Sequence, residues 1–248
     1  MARAAIPGRL TWQLARVVEV VDETPRCKSL VLEPPEWSGH RAGQHVDVRL
    51  SAEDGYQAER SYSIASAPED AHLVLTVERL EDGEVSPYLT EVLRPGDELE
   101  LRGPIGGYFA WDVSDGGPLL MVAGGSGVIP FRAMLRHWAA AGRTLPARLL
   151  YSARTLEDVM YRKEFDRLAE TDAEVELTLT RQRPADWPGH RRSVDRDLLA
   201  AVAWPPQCEP LIYVCGPTAF VEAVVGALVD AGHQLGRIKT ERFGPTAA

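Results

Sequence analysis

The stretch 118–142, PLLMVAGGSGVIPFRAMLRHWAAAG, decides the fold of the second half of the chain. It opens with a continuous apolar run, passes through Gly124, Gly125, Ser126 and Gly127, and continues with apolar residues at helical spacing. A buried strand that leads through glycines into a helix brings free backbone N–H groups and the positive end of the helix dipole to one point, where a pyrophosphate can bind. A tight strand-to-helix turn without a ligand has the same pattern, so the loop alone does not decide between the two.

The same alternation of strand and helix continues to the end of the chain. Apolar runs at 147–153, 174–180 and 210–216 are each followed by a segment of helical spacing, at 156–170, 194–204 and 217–232, and a last short strand is expected at 236–243. Strands that alternate with helices of this length predict a doubly wound parallel α/β sheet. The Gly- and Asp-rich segment 111–118 is the expected boundary, which gives domains 1–112 and 113–248.

The first half has a different periodicity. Six short stretches alternate apolar and polar residues, at 12–21, 27–34, 43–50, 60–66, 72–80 and 97–103, with turn-forming clusters between them. Many short strands at such spacing predict an antiparallel β-barrel, here with Greek-key order. One helical stretch interrupts them at 85–93, for which Ser86 is the expected N-cap and Pro87 the first helical residue.

Composition excludes several classes of function. The chain of 248 residues carries a net charge of −9, and residues 1–112 account for all of it with 11 Lys and Arg against 20 Asp and Glu. A nucleic-acid partner is therefore not expected. The three cysteines are widely spaced and the six histidines show no ligand spacing, so no metal site is expected. No apolar run is long enough to span a bilayer and the N-terminus lacks a secretory apolar segment, which predicts a cytoplasmic protein without membrane insertion.

Arginines follow the later strands of the α/β half. Ser152 and Arg154 lie at the end of the strand after the glycine loop, and Arg181 and Arg192 lie in the next strand–loop region. In this topology the adenosine ribose of a dinucleotide lies at that point. Three arginines that converge on a 2′-phosphate favour NADPH, although NADH stays possible and any one of them alone can be a solvated surface arginine.

Five motifs in order now carry a family resemblance. RSYS (60–63), GEVSPYL (83–89), GPIGGYF (103–109), AGGSGVIP (123–130) and YVCGPTAF (213–220) resemble those of the ferredoxin–NADP reductase superfamily, from about residue 12 to the terminal ERFGPT. The resemblance implies an FAD-binding barrel followed by an NAD(P)-binding α/β domain. It also implies that hydride passes from NADPH to flavin N5 and that the electrons go to a separate acceptor, a ferredoxin or another redox protein.

On the FAD side, the resemblance assigns roles residue by residue. Arg60 is expected to pair with the FAD pyrophosphate, Tyr62 to lie against the isoalloxazine and Ser63 to hydrogen-bond near N5. A barrel aromatic that packs only on its neighbours is the alternative for Tyr62. Backbone N–H groups at the start of the short helix are expected to reach the phosphate. The residues concerned are Gly83, Val85 and Ser86, and Ser61 and Val77 are also assigned to the cofactor.

On the nicotinamide side, the resemblance places Cys215 at a strand end where the nicotinamide arrives. Gly216 and Pro217 shape the turn, and Thr218 helps to position the cofactor. Glu241 is expected to assist proton movement, and Phe243 to shield the isoalloxazine. Ser63, Cys215 and Glu241 are the expected catalytic residues, with an inert core thiol as the alternative for Cys215.

The sequence departs from the family pattern at two points. Arg191 stands before Arg192 where relatives often have glycine, which leaves the register of the arginine cluster open. The three cysteines are too few for the iron–sulfur domain that several relatives carry, so the acceptor is expected to be a separate molecule. Two other functions stay open: an NAD(P)H-dependent flavin reductase that uses flavin as a substrate, and a non-catalytic flavoprotein electron-transfer subunit.

Overall fold

The first sheet is an antiparallel barrel. A computed structural model describes residues 10–170, 173–182 and 184–244. The six strands lie in the order β4-β3-β6-β1-β2-β5, and a bridge between Ile64 and Leu75 joins the two edges. Their bounds are β1 (Gln13–Thr24), β2 (Cys27–Glu33), β3 (His45–Ser51), β4 (Gln57–Ser63), β5 (Leu73–Glu78) and β6 (Glu98–Ile105).

The alternation of apolar and polar residues produces this barrel. In β3, for example, Val46 and Val48 have no exposed surface and pack in the barrel core, while Asp47 and Arg49 point to the outer face, where they pair with Arg102 and Glu100 of β6. Because side chains alternate between the faces of a strand, a polar residue at every second position keeps one face solvated.

The second sheet is parallel and covered by helices. Its strands lie in the order β11-β10-β7-β8-β9, so the chain starts at β7 in the centre, proceeds to one edge and then returns to the other side of β7. The point where the order reverses, between β7 and β10, is where ligands bind in such sheets. The elements are β7 (Leu119–Gly124), α1 (Ile129–Ala140), β8 (Ala147–Ala153), α2 (Arg162–Ala169), β9 (Ala173–Leu179), α3 (Arg196–Val202), β10 (Leu211–Pro217), α4 (Thr218–Asp230) and β11 (Ile238–Phe243).

The predicted fold class, an antiparallel barrel followed by a doubly wound parallel sheet, is confirmed. The boundary at 112/113 stays a prediction; it lies between the end of β6 at Ile105 and the start of β7 at Leu119. Trp111, although it precedes the predicted boundary, packs in the core of the second sheet.

No helix of the described ranges is long and apolar enough to cross a membrane, and no cluster of His, Cys, Asp and Glu within those ranges can hold a metal ion.

Two helix starts differ from the sequence prediction. The short helix spans Tyr88–Val92 after Pro87, because the Ser86 hydroxyl accepts a hydrogen bond from the Leu80 N–H at 3.0 Å and does not cap the helix. The helix expected from residue 156 begins only at Arg162. Residues 156–158 form a separate turn closed by a capping box, and Tyr161 then adopts a left-handed conformation with φ of 57°, which interrupts the helix.

A polar network joins the barrel to the α/β sheet. Arg136 of α1 donates two hydrogen bonds to Asp70 of the barrel half, at 2.9 and 2.7 Å, and a third to Glu164 of α2 at 3.2 Å. Arg132, one turn earlier, binds Glu164 at 2.9 Å and the Ala65 carbonyl at 3.3 Å. Two-point contact between a guanidinium and a carboxylate fixes orientation as well as distance, so this network sets how the two halves meet.

We expect Arg136→Gln to lower the free energy of unfolding by about 1–2 kcal/mol, because it leaves the half-buried Asp70 without its guanidinium partner and removes one of the two arginines that bind Glu164. Urea denaturation followed by tryptophan fluorescence measures the change. Arg196→Gln is the matched control, since Arg196 and Asp230 form a pair with both side chains more than 60% exposed, and it should cost less than about 0.5 kcal/mol. Equal effects of the two substitutions would show that the network does not hold the halves together.

Candidate functional site

Strand β4 presents the RSYS motif with its side chains on two faces. Arg60 and Tyr62 lie opposite Val48 and Val46 of β3, whereas Ser63 lies opposite His45. Tyr62 is half-buried against the barrel core, and burial raises the pKa of its hydroxyl to about 12, so the ring is neutral. An arginine and a neutral aromatic ring therefore share one face, and Ser63 faces the other way.

The guanidinium of Arg60 lies against the loop that precedes the short helix. Its Nη2 donates to Glu84 Oε2 at 2.7 Å, and its Nη1 donates to the Glu59 carbonyl at 2.8 Å. Glu84 belongs to the GEVS motif, next to Gly83, where an added Cβ would lie 2.8 Å from Ser86 Oγ. The two predicted phosphate-binding segments, RSYS and GEVS, thus meet, and a carboxylate oxygen stands at the guanidinium where a phosphate oxygen is expected.

Three residues assigned to the cofactor do not present their side chains to this site. Val77 has no exposed surface and packs in the barrel core, which leaves only its backbone for a ligand. The Ser61 hydroxyl donates to Asp47 Oδ1 at 2.7 Å on the face opposite Arg60, and its assignment to the cofactor stays a prediction. Val85 is 1% exposed, which leaves only its backbone for a ligand.

The glycine loop lies at the point where the order of the parallel sheet reverses. Gly124 ends β7, Gly125 has φ of +57°, and Gly125–Val128 form a single 3₁₀ turn that leads into α1. An added Cβ at Gly127 would lie 2.2 Å from the Cys215 carbonyl oxygen, a distance that no side chain tolerates. Only glycine allows this contact, which brings the loop of β7 against the end of β10.

The three predicted catalytic residues come together beside this contact, although they lie far apart in the sequence. Cys215 and Glu241 are partners in the parallel pair β10–β11, and their Sγ and Oε2 atoms lie 4.0 Å apart. Burial raises the pKa of Glu241 to about 7, while a hydrogen bond from Ser63 of the barrel acts in the opposite direction. The carboxyl group is therefore poised to gain or lose a proton near neutral pH.

Burial, with a contribution from the nearby Glu241 carboxylate, raises the pKa of the Cys215 thiol well above its ordinary value. The thiol is thus neutral, 2% exposed and unsuited to act as a nucleophile. Gly216 and Pro217 end β10, and the buried Thr218 begins α4. Phe243, at the end of β11, is 37% exposed and pairs in register with Pro217, so an aromatic ring is available at the same edge.

The arginine cluster forms only in part. Arg154 directly follows β8, and its carbonyl accepts a hydrogen bond from the Arg181 N–H at 2.9 Å, so these two exposed residues lie side by side near the buried Ser152. Arg192 reaches the same edge, where its carbonyl accepts from the Thr178 hydroxyl. Its guanidinium, however, is held by Asp195 at 2.9 Å and by Asp197 at 3.4 Å. Arg192 is therefore not a free phosphate ligand as the structure stands.

The arrangement fits a flavin on the barrel and a dinucleotide on the parallel sheet. The guanidinium of Arg60 already binds an anionic oxygen, and the loop at Gly124–Gly127 carries only one side chain, the small hydroxymethyl group of Ser126, beside the site for a pyrophosphate. Between the two lies the group of Ser63, Cys215 and Glu241. A hydroxyl, a neutral thiol and a carboxyl group of raised pKa supply hydrogen bonds and a proton in a site shielded from water.

Sequence reasoning missed two neighbours of this site. Glu84 lies inside a motif that was used for its backbone only, and nothing in the sequence indicates that its side chain turns towards Arg60. His45 pairs across the strands with Ser63, and an added Cβ at Gly106 would lie 3.2 Å from its Nδ1. Burial lowers the pKa of His45, with a smaller opposing contribution from Asp47. His45 is identified by the strand register, which is known only once the fold is known.

Comparisons with known proteins agree with this geometry. Residues 14–110 match the family model of the oxidoreductase FAD-binding domain, and residues 121–226 match that of the oxidoreductase NAD-binding domain. Ferredoxin–NADP reductase B of Sorangium cellulosum is 36% identical over 222 residues, which cover 85% of this chain and 88% of that protein.

Two further relatives extend the match to almost the whole chain. The glycine betaine monooxygenase reductase subunit of Pseudomonas aeruginosa is 30% identical over 246 residues, which cover 95% of this chain and 66% of the relative. This chain thus spans just under two thirds of that relative's length. The structure of the ferredoxin reductase in carbazole 1,9a-dioxygenase has a TM-score of 0.80 at 28% identity and covers 97% of this chain and 71% of its own. The chain therefore belongs to the ferredoxin–NADP reductase superfamily, with an FAD-binding domain followed by an NAD(P)-binding domain.

Proposed function

We propose that the protein is an FAD-dependent NADPH reductase that passes electrons to a separate redox protein. The meeting of Ser63 from the barrel with Cys215 and Glu241 from the parallel sheet supports this function best. These residues lie at the junction of the barrel and the parallel sheet, where a flavin on the barrel and a nicotinamide on the sheet can approach each other. The superfamily membership adds that both cofactor domains are present.

Each residue of the site has a proposed role that follows from its chemistry. FAD, when bound, would supply the redox chemistry, namely acceptance of a hydride from the nicotinamide and release of the electrons to the acceptor. Arg60 would bind the FAD phosphate, Tyr62 would pack on the flavin ring, and the Gly124–Gly127 loop would hold the pyrophosphate of the dinucleotide. Ser63 would donate a hydrogen bond beside the reacting atoms, and Glu241 would accept at its carboxylate the proton that is released when the electrons pass to the acceptor. The neutral Cys215 thiol fills the space between them without reacting.

Coenzyme choice rests on Arg154 and Arg181. Both follow parallel strands at the edge where the adenosine ribose lies, and both are exposed. Arg192 contributes less, because Asp195 and Asp197 bind its guanidinium. We propose NADPH as the preferred donor and NADH as a poorer one.

The acceptor is proposed to be a separate protein, either a ferredoxin or an oxygenase component. Relatives include the reductase subunit of glycine betaine monooxygenase and a ferredoxin–NADP reductase. Basic residues of the barrel half that an acidic ferredoxin could contact are already paired with carboxylates: Arg26 with Glu78, Lys28 with Asp22 and Arg41 with Asp115. This favours an acceptor whose docking face is not strongly acidic. A cytoplasmic location is part of the same proposal.

Anaerobic mixing of the FAD-loaded protein with NADPH and, separately, with NADH tests the function directly. We expect rapid bleaching of the visible flavin band by NADPH and a slower response to NADH. A protein that purifies without flavin and holds added FAD only weakly would support the free flavin reductase instead. A protein that holds FAD tightly but reacts with neither nucleotide would support the non-catalytic subunit.

Arg154→Ala and Arg181→Ala should each raise KM for NADPH about tenfold, because each removes a charge-assisted hydrogen bond to the 2′-phosphate. KM for NADH and kcat should change little, since NADH has no such phosphate. Steady-state kinetics with ferricyanide as acceptor measures all of these values. Arg167→Ala is the control, because Arg167 is an exposed arginine on α2 that donates to the Lys163 carbonyl. A parallel rise in KM for both coenzymes would mean that the arginines hold a part the coenzymes share.

The turnover rate should rise as the pH passes through about 7, because the carboxyl group of Glu241 then loses its proton and becomes able to accept one. Glu241→Gln keeps the neutral form at every pH, so this variant should stay at the low-pH rate throughout. Rates across the pH range with saturating NADPH and ferricyanide measure the difference. A wild-type profile that falls through the same pH would assign the opposite role, proton donation, to Glu241.

A further inference from the structure

The strongest unassigned feature is the carboxylate of Glu84, which forms an ion pair with the arginine that is proposed to bind the FAD phosphate. Glu84 Oε2 accepts from Arg60 Nη2 at 2.7 Å, with the two side chains 50% and 53% exposed. Glu84 lies between Gly83 and Val85, the residues whose backbone is assigned to the same phosphate. A carboxylate is therefore built into the segment that must receive a dianionic pyrophosphate.

A second contact holds this carboxylate in place. Tyr56, directly before β4, donates its hydroxyl hydrogen to Glu84 Oε1 at 2.9 Å, and this hydrogen bond raises the pKa of Tyr56. Each carboxylate oxygen thus has its own partner, one from Arg60 and one from Tyr56. The pair is not an isolated surface contact but a three-residue arrangement across the mouth of the site.

We propose that Glu84 competes with the FAD pyrophosphate for Arg60 and so sets the affinity for FAD. The inference rests on the proposed function, in which Arg60 binds that phosphate. Of the five N–H donors of the guanidinium, Nη2 gives one to Glu84 and Nη1 gives one to the Glu59 carbonyl, which leaves three for a ligand. A phosphate that takes the Nη2 donor must displace Glu84, and the displaced carboxylate stays close to the bound phosphate, where like charges repel.

If Glu84 competes with the phosphate for Arg60, its effect on affinity should depend on whether the flavin carries a phosphate. A flavin without phosphate does not require Arg60, so the state of Glu84 should not affect its binding. FAD should bind more tightly once the carboxylate charge is removed. Glutamine at position 84 keeps the size of the side chain and a hydrogen bond to Tyr56, while it gives up the ionic contact with Arg60.

Fluorescence titration of the flavin-free protein with FAD and with riboflavin tests the proposal. We expect Glu84→Gln to lower the dissociation constant of FAD about three- to tenfold, the scale of an exposed ion pair plus one repelled charge, and to leave that of riboflavin unchanged. Glu91→Gln is the matched control, because Glu91 pairs with Arg79 on the same half of the chain at similar exposure. It should change neither constant. An equal gain for both flavins, or no gain for FAD, would overturn the role of Glu84.

A double-mutant cycle separates competition from simple repulsion. If Glu84 acts by occupying Arg60, most of the gain from Glu84→Gln should disappear in the Arg60→Gln background. A gain of the same size in both backgrounds means that Glu84 only repels the phosphate, and the competition is then refuted. Failure of the wild-type protein to bind FAD at all refutes the proposed function instead, so the two failures are distinguishable.

Discussion

The contact between Gly127 and the Cys215 carbonyl is the constraint on which the site depends. A backbone approach that excludes even a Cβ brings the glycine loop after β7 against the end of β10. The order of strands in the sheet makes these two ends neighbours, although almost ninety positions separate them in the sequence. Everything at the nicotinamide side follows from this contact: Cys215 is buried beneath it, and Glu241 lies on the next strand in register with Cys215.

The barrel must then meet this edge at one orientation, because Ser63 belongs to the barrel and its partner Glu241 to the sheet. Charged groups on α1 and α2 provide the orientation. Arg136 contacts both Asp70 and Glu164, and His137 binds Glu69 at 2.6 Å, so barrel residues are tied to the helix that starts at the glycine loop. Helix α1 thus links the phosphate loop at its start to the barrel at its third turn.

The sequence was sufficient for the elements and for the identity of the motifs. Apolar periodicity predicted all eleven strands, because each strand buries at least one face and the pattern records that burial. It failed where local geometry overrides periodicity. The segment 156–170 has helical spacing throughout, but the left-handed Tyr161 breaks it, and no pattern of apolar residues reports a backbone angle.

The site residues also divide into those that a sequence pattern reveals and those that depend on local geometry. Arg60, Gly127 and Glu241 were predictable because each belongs to a motif with a fixed relation to strand and turn. The burial of the Val77 side chain in the barrel core was not predicted, because a position in a strand next to a motif does not tell which face it occupies. Glu84 and the capture of Arg192 by Asp195 were not predictable at all. Each depends on a side-chain pairing that becomes visible only when two loops are in place.

Glu84 and Glu241 illustrate how one residue type serves two purposes within a single site. Glu241 loses its hydration at the junction of the two halves, so burial raises its pKa to about 7 and its proton becomes available. Glu84 stays half-exposed, with an arginine and a tyrosine as its partners. The environment, not the residue, makes the first a candidate for proton transfer and the second a rival to the phosphate of the ligand. A cofactor that reaches both carboxylates would thus be repelled by Glu84 at its phosphate end and would meet the titratable Glu241 at its ring end.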